Sequence, residues 1–190
     1  NLTGSPVCGD NVIDMRSAYH YCNNLTGSPV CGPNVTNMYC AYNACQKLTG
    51  NPACGNNVTN MSSAYYGCFT LNGRPVCGDN VKDMSKAYLG CSNLVGTAVC
   101  GNNVTDMSYA YNGCNNLTSG IIGSKVNNAT NAFAGCNTIT TITIYSNMIT
   151  SFNNVFKPSA ALHGSSTLRF ETSGINSDYI NKFLSNSVYV

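Results

Sequence analysis

The apolar residues of this chain recur with one long period. At five positions the same residue type returns every 23 residues, and we call each such set a column. The columns start at Val12, Met15, Ala18, Tyr19 and Cys22. Leucine marks the start of each unit, at Leu2, Leu25, Leu48, Leu71, Leu94 and Leu117. A unit this short cannot bury its own apolar face, so it must stack on its neighbours and share a core. The pattern predicts an α/β repeat solenoid of the leucine-rich-repeat type, with about seven 23-residue coils over residues 1–162.

Each repeat contains signals for one strand and one helical turn. The segment Ser5–Cys8 is short and ends at Gly9, which is typical of a brief strand in a parallel sheet, although its proline removes a ladder donor. Asp14 and its equivalents are helix-capping residues, so a short helix is expected from about Met15 to Tyr21. Short parallel strands would then form one face of the solenoid and helical turns the other.

The period fails after Leu162, and residues 163–190 follow a different pattern. Thr167–Glu171 alternates as a strand does, and Ser177–Leu184 has the pattern of a capped amphipathic helix. The tail at 188–190 is predicted to add a final strand. Because atypical ends seal solenoids, we expect this segment to be a C-terminal cap.

One asparagine per repeat follows the predicted strand. A stacked amide at this position would bond the backbone of adjacent coils and satisfy turn groups that would otherwise lack partners. This column predicts a structural asparagine ladder, formed by Asn11, Asn34, Asn57, Asn80 and Asn103.

Two motifs resemble those of known surface proteins. The segment Asn103–Ser108, followed by Gly113 and Cys114, is similar to the surface-protein repeat NVTDMSxMFxGC. Ala132–Cys136 and Ile139–Ile144 resemble the AFxGC and LxxIxI elements of BspA-like leucine-rich repeats. The resemblance implies a thin curved solenoid that serves adhesion and recognition on bacterial, protist or viral surfaces, without conserved catalysis.

Eleven of the twelve cysteines form two columns, and their pairing is open. Cys8 lies four residues before Val12, which places its column at an inward apolar position. One hypothesis is a disulfide in each repeat. It pairs Cys8–Cys22, Cys31–Cys45, Cys54–Cys68, Cys77–Cys91 and Cys100–Cys114. Two ladders of free thiols, or cross-repeat pairs such as Cys22–Cys31, are the alternatives.

The residue before each of the first-column cysteines is small and apolar. If Cys8 points inward, this column points outward and forms a candidate binding stripe; in the opposite register it belongs to the core. The stripe contains Val7, Val30, Ala53, Val76 and Val99.

Composition narrows the class of function. Charged residues make up 8% of the chain, the net charge is +2, and the nine Lys and Arg residues form no recurring basic stripe, so nucleic-acid binding is not expected. His20 and His163 do not recur and accompany no nucleophile motif, which argues against an enzyme. Asp10 and Asp14 suggest turn capping more than calcium, and we predict no metal, no cofactor and no membrane insertion. Abundant cysteine with low charge favours a secreted, cell-surface or virion-surface setting.

Together these features predict a non-enzymatic recognition or adhesion module of a cell surface or virion appendage. It would bind a protein or glycan receptor through the solenoid face. The alternative is a structural component of an extracellular fibre or viral tail. The chain begins inside a repeat at Asn1, so in either case we expect self-association or further protein at the N-terminal edge.

Overall fold

The computed structural model describes residues 2–156, 167–171 and 177–187. It contains one parallel sheet, in the spatial order β1-β2-β3-β4, and helix α1 at Ser177–Ser187. The strands are β1 (Gly96–Ala98), β2 (Leu117–Ile122), β3 (Thr141–Ile144) and β4 (Thr167–Phe170). Adjacent strands come from equivalent positions of successive repeats, since Ala98 pairs with Gly120 and Gly120 with Ile142. A parallel sheet that adds one strand per repeat therefore exists in the later part of the chain.

The earlier repeats lack this sheet. Between residues 2 and 95 the structure has no strand, so the strand predicted at Ser5–Cys8 is wrong. The positions that Ala98, Gly120 and Ile142 occupy in the sheet are buried prolines in the first four repeats, at Pro6, Pro29, Pro52 and Pro75. Proline has no N–H to donate to a ladder, so the sheet begins where the proline column ends.

A second line of parallel pairing runs through the described repeats. Single bridges join the residues that precede the methionine column and its equivalents Ala129 and Phe152. They are Asp14, Asn37, Asn60, Asp83, Asp106, Asn128 and Ser151. In each of the first six, the side-chain Oδ1 accepts a hydrogen bond from the N–H two residues later, as Asn60 does from Ser62 at 2.8 Å. These Asx turns fix the direction in which the chain leaves each bridge.

The segment after each bridge is a series of turns, so the helix predicted at Met15–Tyr21 is wrong. Ser17 and Tyr21 have φ of 53° and 57°, whereas an α-helix needs negative φ throughout. Successive N–H groups also alternate between two partners. That of Ala18 bonds Met15 within the repeat, and that of Tyr19 bonds Ala41 of the next repeat. Half of the donors thus hold neighbouring repeats together, which a helix with only internal bonds would not allow.

The core lies between the segment that contains the proline position, which becomes the sheet in the later repeats, and the turns that follow each bridge. Leu71, Val81 and Met84 are fully buried there, as are their equivalents in the neighbouring repeats. One aromatic ring per repeat stacks along the core with centroids 5.1–6.2 Å apart, in the order Tyr19, Tyr42, Tyr65, Tyr88, Tyr111, Phe133 and Phe156. Because each ring needs the next at a fixed offset, the stack holds the repeats in phase.

The C-terminal elements are a strand and a helix, as the sequence predicts. Strand β4 continues the sheet by pairing with β3, and α1 covers the predicted helix and three further residues. The final strand predicted at 188–190 lies outside the described residues, as do residues 163–166 at the start of the predicted cap. None of the helices in the described ranges is both long and apolar enough to span a bilayer.

Candidate binding surface

The outward side chains on either side of the buried proline position form the surface that we call the sheet face. It has two columns of exposed or half-exposed residues. The polar column contains Ser5, Ser28, Asn51, Arg74, Thr97, Ser119 and Thr141. The apolar column contains Val7, Val30, Ala53, Val76, Val99, Ile121 and, as its last member, Thr143.

The structure has the register in which the valine stripe points outward. Val7 is 77% exposed, and the four residues Val30, Ala53, Val76 and Val99 are half-exposed and lie outside the hydrophobic core cluster. The neighbouring cysteines pack against that cluster instead, at Cys8, Cys31, Cys54, Cys77 and Cys100. The predicted binding stripe is therefore accessible along the sheet face.

Core tyrosines hold the backbone of this stripe from inside. The Tyr65 hydroxyl donates to the carbonyl of Ala53 at 2.6 Å and accepts from its N–H at 3.0 Å. Tyr88 makes the same two bonds to Val76, at 2.6 and 3.2 Å. Since proline prevents a regular ladder here, the hydroxyl supplies the partners that these buried backbone groups require.

The sixth repeat shows the alternative arrangement. Its aromatic residue is Phe133, which has no hydroxyl, and its outer segment is strand β2, paired with β1 and β3. A Cβ on Gly120 would lie 2.8 Å from the Phe133 ring, so glycine lets this strand pack directly on the phenyl group. Sequence reasoning missed the tyrosine role. The available signal is a tyrosine that recurs 13 residues after each proline, persists in the fifth repeat as Tyr111 after Ala98, and becomes phenylalanine in the sixth repeat.

All twelve cysteines are free thiols, so the predicted disulfides are not formed. The thiols of the two columns have separate partners. In the second column, Cys68 Sγ donates to the Tyr42 carbonyl oxygen at 2.9 Å; in the first column, Cys54 Sγ lies 3.6 Å from the carbonyl oxygen of Gly55. None of the disulfides considered from the sequence is present. The absent pairs are Cys8–Cys22, Cys31–Cys45, Cys54–Cys68, Cys77–Cys91, Cys100–Cys114 and the cross-repeat pair Cys22–Cys31. Thiols that bond carbonyls and fill small core spaces behave as buried hydrophobes.

Thiols of the first column also explain a glycine column. The Gly32 N–H donates to Cys8 Sγ at 3.2 Å, and a Cβ on Gly32 would lie 2.9 Å from that sulfur. A Cβ on Gly55 would lie 3.2 Å from Cys31 Sγ. The same Cβ atoms would lie 2.9 Å from the Gly9 carbonyl oxygen and 3.0 Å from that of Gly32, so both the thiol and the backbone of the preceding repeat require glycine at this corner.

Burial makes these thiols poor nucleophiles. Burial raises the pKa of Cys91 to about 12, although the hydrogen bond to the Cys68 backbone has a smaller, lowering effect. Burial likewise raises the pKa of Cys54 and of Cys100 to about 11. These groups remain protonated near neutral pH, and the thiolate is the reactive form.

The asparagine column bonds successive repeats on the adjoining corner. Asn34 Nδ2 donates to the carbonyl of Asp10 at 2.8 Å, and Asn57 Nδ2 to that of Pro33 at 2.9 Å. Asn80 and Asn103 make the equivalent bonds to the preceding repeat, whereas Asn11 belongs to the first repeat and has none before it. The amides therefore act on the backbone, as a structural ladder would.

The remaining chemistry-bearing residues are dispersed. The His20 ring lies beside that of Tyr21 with centroids 4.4 Å apart, and His163 falls outside the described ranges. Asp14 pairs with Arg16 at 2.7 Å. Within the part of the chain that the structure describes, no three His, Cys, Asp or Glu side chains group in a way that could hold a metal ion. A cleft of about 310 Å³ between residues 147–152 and α1 has Lys182 as its titratable lining residue.

Comparisons with protein-family models, with curated proteins and with solved structures found no match to this chain. The BspA-like resemblance therefore rests on the motifs alone.

Proposed function

We propose that the chain is a solenoid of about seven coils, capped by residues 163–190, and that it serves as a non-enzymatic recognition or adhesion module. It would be displayed on a cell surface or virion appendage and bind a protein or glycan through the sheet face. The observation that carries the proposal is the accessible stripe of Val30, Ala53, Val76 and Val99 on a backbone held from within.

Rigidity supports this use of the surface. In Val30, Ala53 and Val76, the N–H and the carbonyl of the residue are both hydrogen-bonded to one core tyrosine hydroxyl. A surface that is already ordered loses little conformational entropy when a ligand binds, so more of the contact energy appears as affinity. The exposed aliphatic groups between small polar side chains supply apolar contact area.

The alternative is a structural role, in which the chain docks into a fibre or tail. Leu2 is 53% exposed, whereas the equivalent Leu25 is 2% exposed. In the described part of the chain no hydrogen bond reaches the carbonyls of Arg16 and Ala18, although those of Tyr39 and Ala41 accept bonds from the preceding repeat. Apolar side chains beside open backbone acceptors are the features through which sheet-like edges associate.

Two variants separate these candidates. Val76→Lys places a charge in the sheet face, and Leu2→Lys places one on the N-terminal edge. The chain and both variants would be examined by light scattering, electron microscopy and binding to glycan and cell-surface protein panels. A monomer whose panel binding is lost in Val76→Lys supports recognition; filaments that are lost in Leu2→Lys support the structural role. Panel binding that is unchanged by Val76→Lys contradicts the use of the sheet face.

A further inference from the structure

The first two cysteines of the first column lie beside each other in neighbouring repeats. The Gly32 N–H donates to Cys8 Sγ at 3.2 Å, and the nitrogen of this group is bonded directly to the carbonyl carbon of Cys31. The Cys8 sulfur therefore lies against the backbone that connects Cys31 to Gly32. The second cysteine of its own repeat, Cys22, has its Sγ 3.9 Å from the His20 carbonyl oxygen, on the turn side.

Stacked tyrosines hold the two segments in register. The Tyr19 hydroxyl accepts a hydrogen bond from the N–H of Val7 at 3.1 Å, and the Tyr42 hydroxyl accepts one from the N–H of Val30 at 3.1 Å. These valines directly precede the two cysteines. The two rings are stacked, with their centroids 5.1 Å apart. Each ring thus fixes the segment that carries one cysteine, and neighbouring segments of parallel chains lie roughly 4.8 Å apart.

The backbones around the two cysteines also approach closely. A parallel bridge joins Asp14 to Asn37, at equivalent positions after the cysteines. A Cβ on Gly32 would lie 2.9 Å from the Gly9 carbonyl oxygen, so the glycines that follow the two cysteines are neighbours. A disulfide tolerates Cα separations of about 4.4–6.8 Å, which include the spacing of adjacent parallel rows. Bonded cysteines prefer Cβ atoms about 3.8 Å apart, so closing the bond must draw the residues together by roughly 1 Å.

An oxidant reaches this pair more easily than the rest of the column. Cys8 and Cys31 are half-buried, and the residues on both sides of Cys8 are exposed. Further along the column, burial raises the pKa of Cys54 to about 11 and that of Cys77 to about 12. The thiolate is the form that reacts with a peroxide, so these inner thiols react slowly. Burial raises the pKa of Cys31 as well, which makes Cys31 the partner for a second step rather than the first thiol to be oxidised.

We propose that Cys8 and Cys31 are a redox-active pair, which hydrogen peroxide converts from two free thiols into a disulfide between the first and second repeats. The Cys8 sulfur attacks one peroxide oxygen and gives up its proton, which yields a sulfenic acid and one water. The Cys31 sulfur then attacks the sulfenic sulfur, so that the S–S bond forms, the S–O bond breaks and a second water leaves with the Cys31 proton. The two thiols lose two electrons, and the peroxide takes up both.

The disulfide would be a covalent and reversible link between two repeats. In the reduced chain these repeats are joined by hydrogen bonds, such as that from the Tyr19 N–H to the Ala41 carbonyl at 2.8 Å. The approach of roughly 1 Å that the bond requires leaves it strained, and strained disulfides are readily reduced. A dithiol should therefore restore the free thiols. The inference concerns the thiols alone and does not depend on the proposed recognition role.

The test treats the folded, fully reduced chain with hydrogen peroxide and maps the products by mass spectrometry. Digestion with trypsin and chymotrypsin places Cys8, Cys22 and Cys31 on different peptides, because Arg16 and Leu25 are cleavage sites between them. Cys31→Ser removes the proposed partner. Cys22→Ser is the matched control, because it removes the other cysteine of the first repeat and leaves the pair intact. Circular dichroism checks that each variant is folded, and methionine oxidation does not interfere, since it links no peptides.

We expect the linked Cys8–Cys31 peptide from the unmodified chain and from Cys22→Ser, and its disappearance with dithiothreitol. In Cys31→Ser the Cys8 sulfenic acid has no partner, so dimedone should trap roughly tenfold more of it than in the unmodified chain. A Cys8–Cys22 peptide as the main product overturns the pairing, as does oxidation of Cys8 to the sulfinic acid without a link in the unmodified folded chain. An equal yield of the Cys8–Cys31 peptide from the chain oxidised in urea also overturns it, because the fold would then not select the partner.

Discussion

The hydroxyl of Tyr65 donates to the carbonyl of Ala53 at 2.6 Å and accepts from the N–H of the same residue at 3.0 Å. One core side chain thus replaces both partners that a neighbouring strand would provide. The arrangement connects the buried aromatic stack to the exposed sheet face, because the stack positions the hydroxyl and the hydroxyl positions the backbone. Stability measurements on single side chains test these connections.

Tyr65→Phe should destabilise the protein by about 1–3 kcal/mol, because it leaves the half-buried N–H and carbonyl of Ala53 without their tyrosine partner while keeping the ring stack. The measurement is the free energy of unfolding in urea. The control is Tyr66→Phe in the same repeat, where the tyrosine is exposed and a change within about 0.5 kcal/mol is expected. Equal effects of the two substitutions would show that the hydroxyl bonds do not hold the outer segment.

Gly101→Ala should destabilise by about 1–3 kcal/mol or more, because its Cβ would meet the backbone carbonyl of Gly78, which cannot rotate away. Gly9→Ala is the matched control from the first repeat, where the nearest atom to the added Cβ is a Val12 methyl at 4.0 Å. Thermal unfolding of the two variants makes the comparison. A stable Gly101→Ala protein would disprove the close approach of backbones at this corner.

Asn57→Ala should cost about 1 kcal/mol through loss of the Nδ2 bond to the Pro33 carbonyl. Its neighbour Asn56 is exposed, and Asn56→Ala leaves the backbone carbonyl that accepts from Asn80 in place. Urea unfolding of both variants separates a ladder role from a general surface effect. The ladder has no energetic role if Asn57→Ala is as stable as Asn56→Ala.

The free energy of unfolding should fall as pH rises above about 9. Burial raises the pKa of Cys91 from 9.0 to about 12, so the folded state keeps a proton that the unfolded state loses. The contribution of this thiol is complete below pH 9 and declines by about 1.4 kcal/mol per pH unit until about pH 12. Cys91→Ser keeps a donor toward Tyr65 but does not titrate, so its urea midpoint should depend less steeply on pH. An unchanged slope in this variant would contradict the buried, protonated state of the thiol.

Alkylation without reductant should modify all twelve cysteines after unfolding, because the structure holds them as free thiols. In the folded protein, half-buried Cys8 and Cys22 should react well before fully buried Cys91 and Cys114. Intact mass spectrometry counts the added groups. A count of two or fewer after unfolding would show instead that the ten cysteines of the five predicted pairs form disulfides.

The sequence predicts much of the core but less of the backbone. Leu71, Val81 and Met84 lie in the core because an apolar residue repeated at one position in stacked units has to be buried at each occurrence. Strand β4 and helix α1 were also predictable, since alternation and capping are local signals. The helix at Met15–Tyr21 was not, because its spacing of apolar residues is shared by a chain of turns that also buries every third or fourth residue.

What the sequence alone determined is therefore the period, the core columns and the absence of a basic stripe. Tertiary structure decided the state of the residues whose partners lie across the same repeat or one repeat away. Tyr65 bonding Ala53, the N–H of Tyr19 bonding Ala41, and Cys8 covering Gly32 all depend on how segments far apart in the chain approach each other. Local propensity contains no information on those distances. The sheet, the turns and the free thiols therefore emerge only when the repeats are stacked.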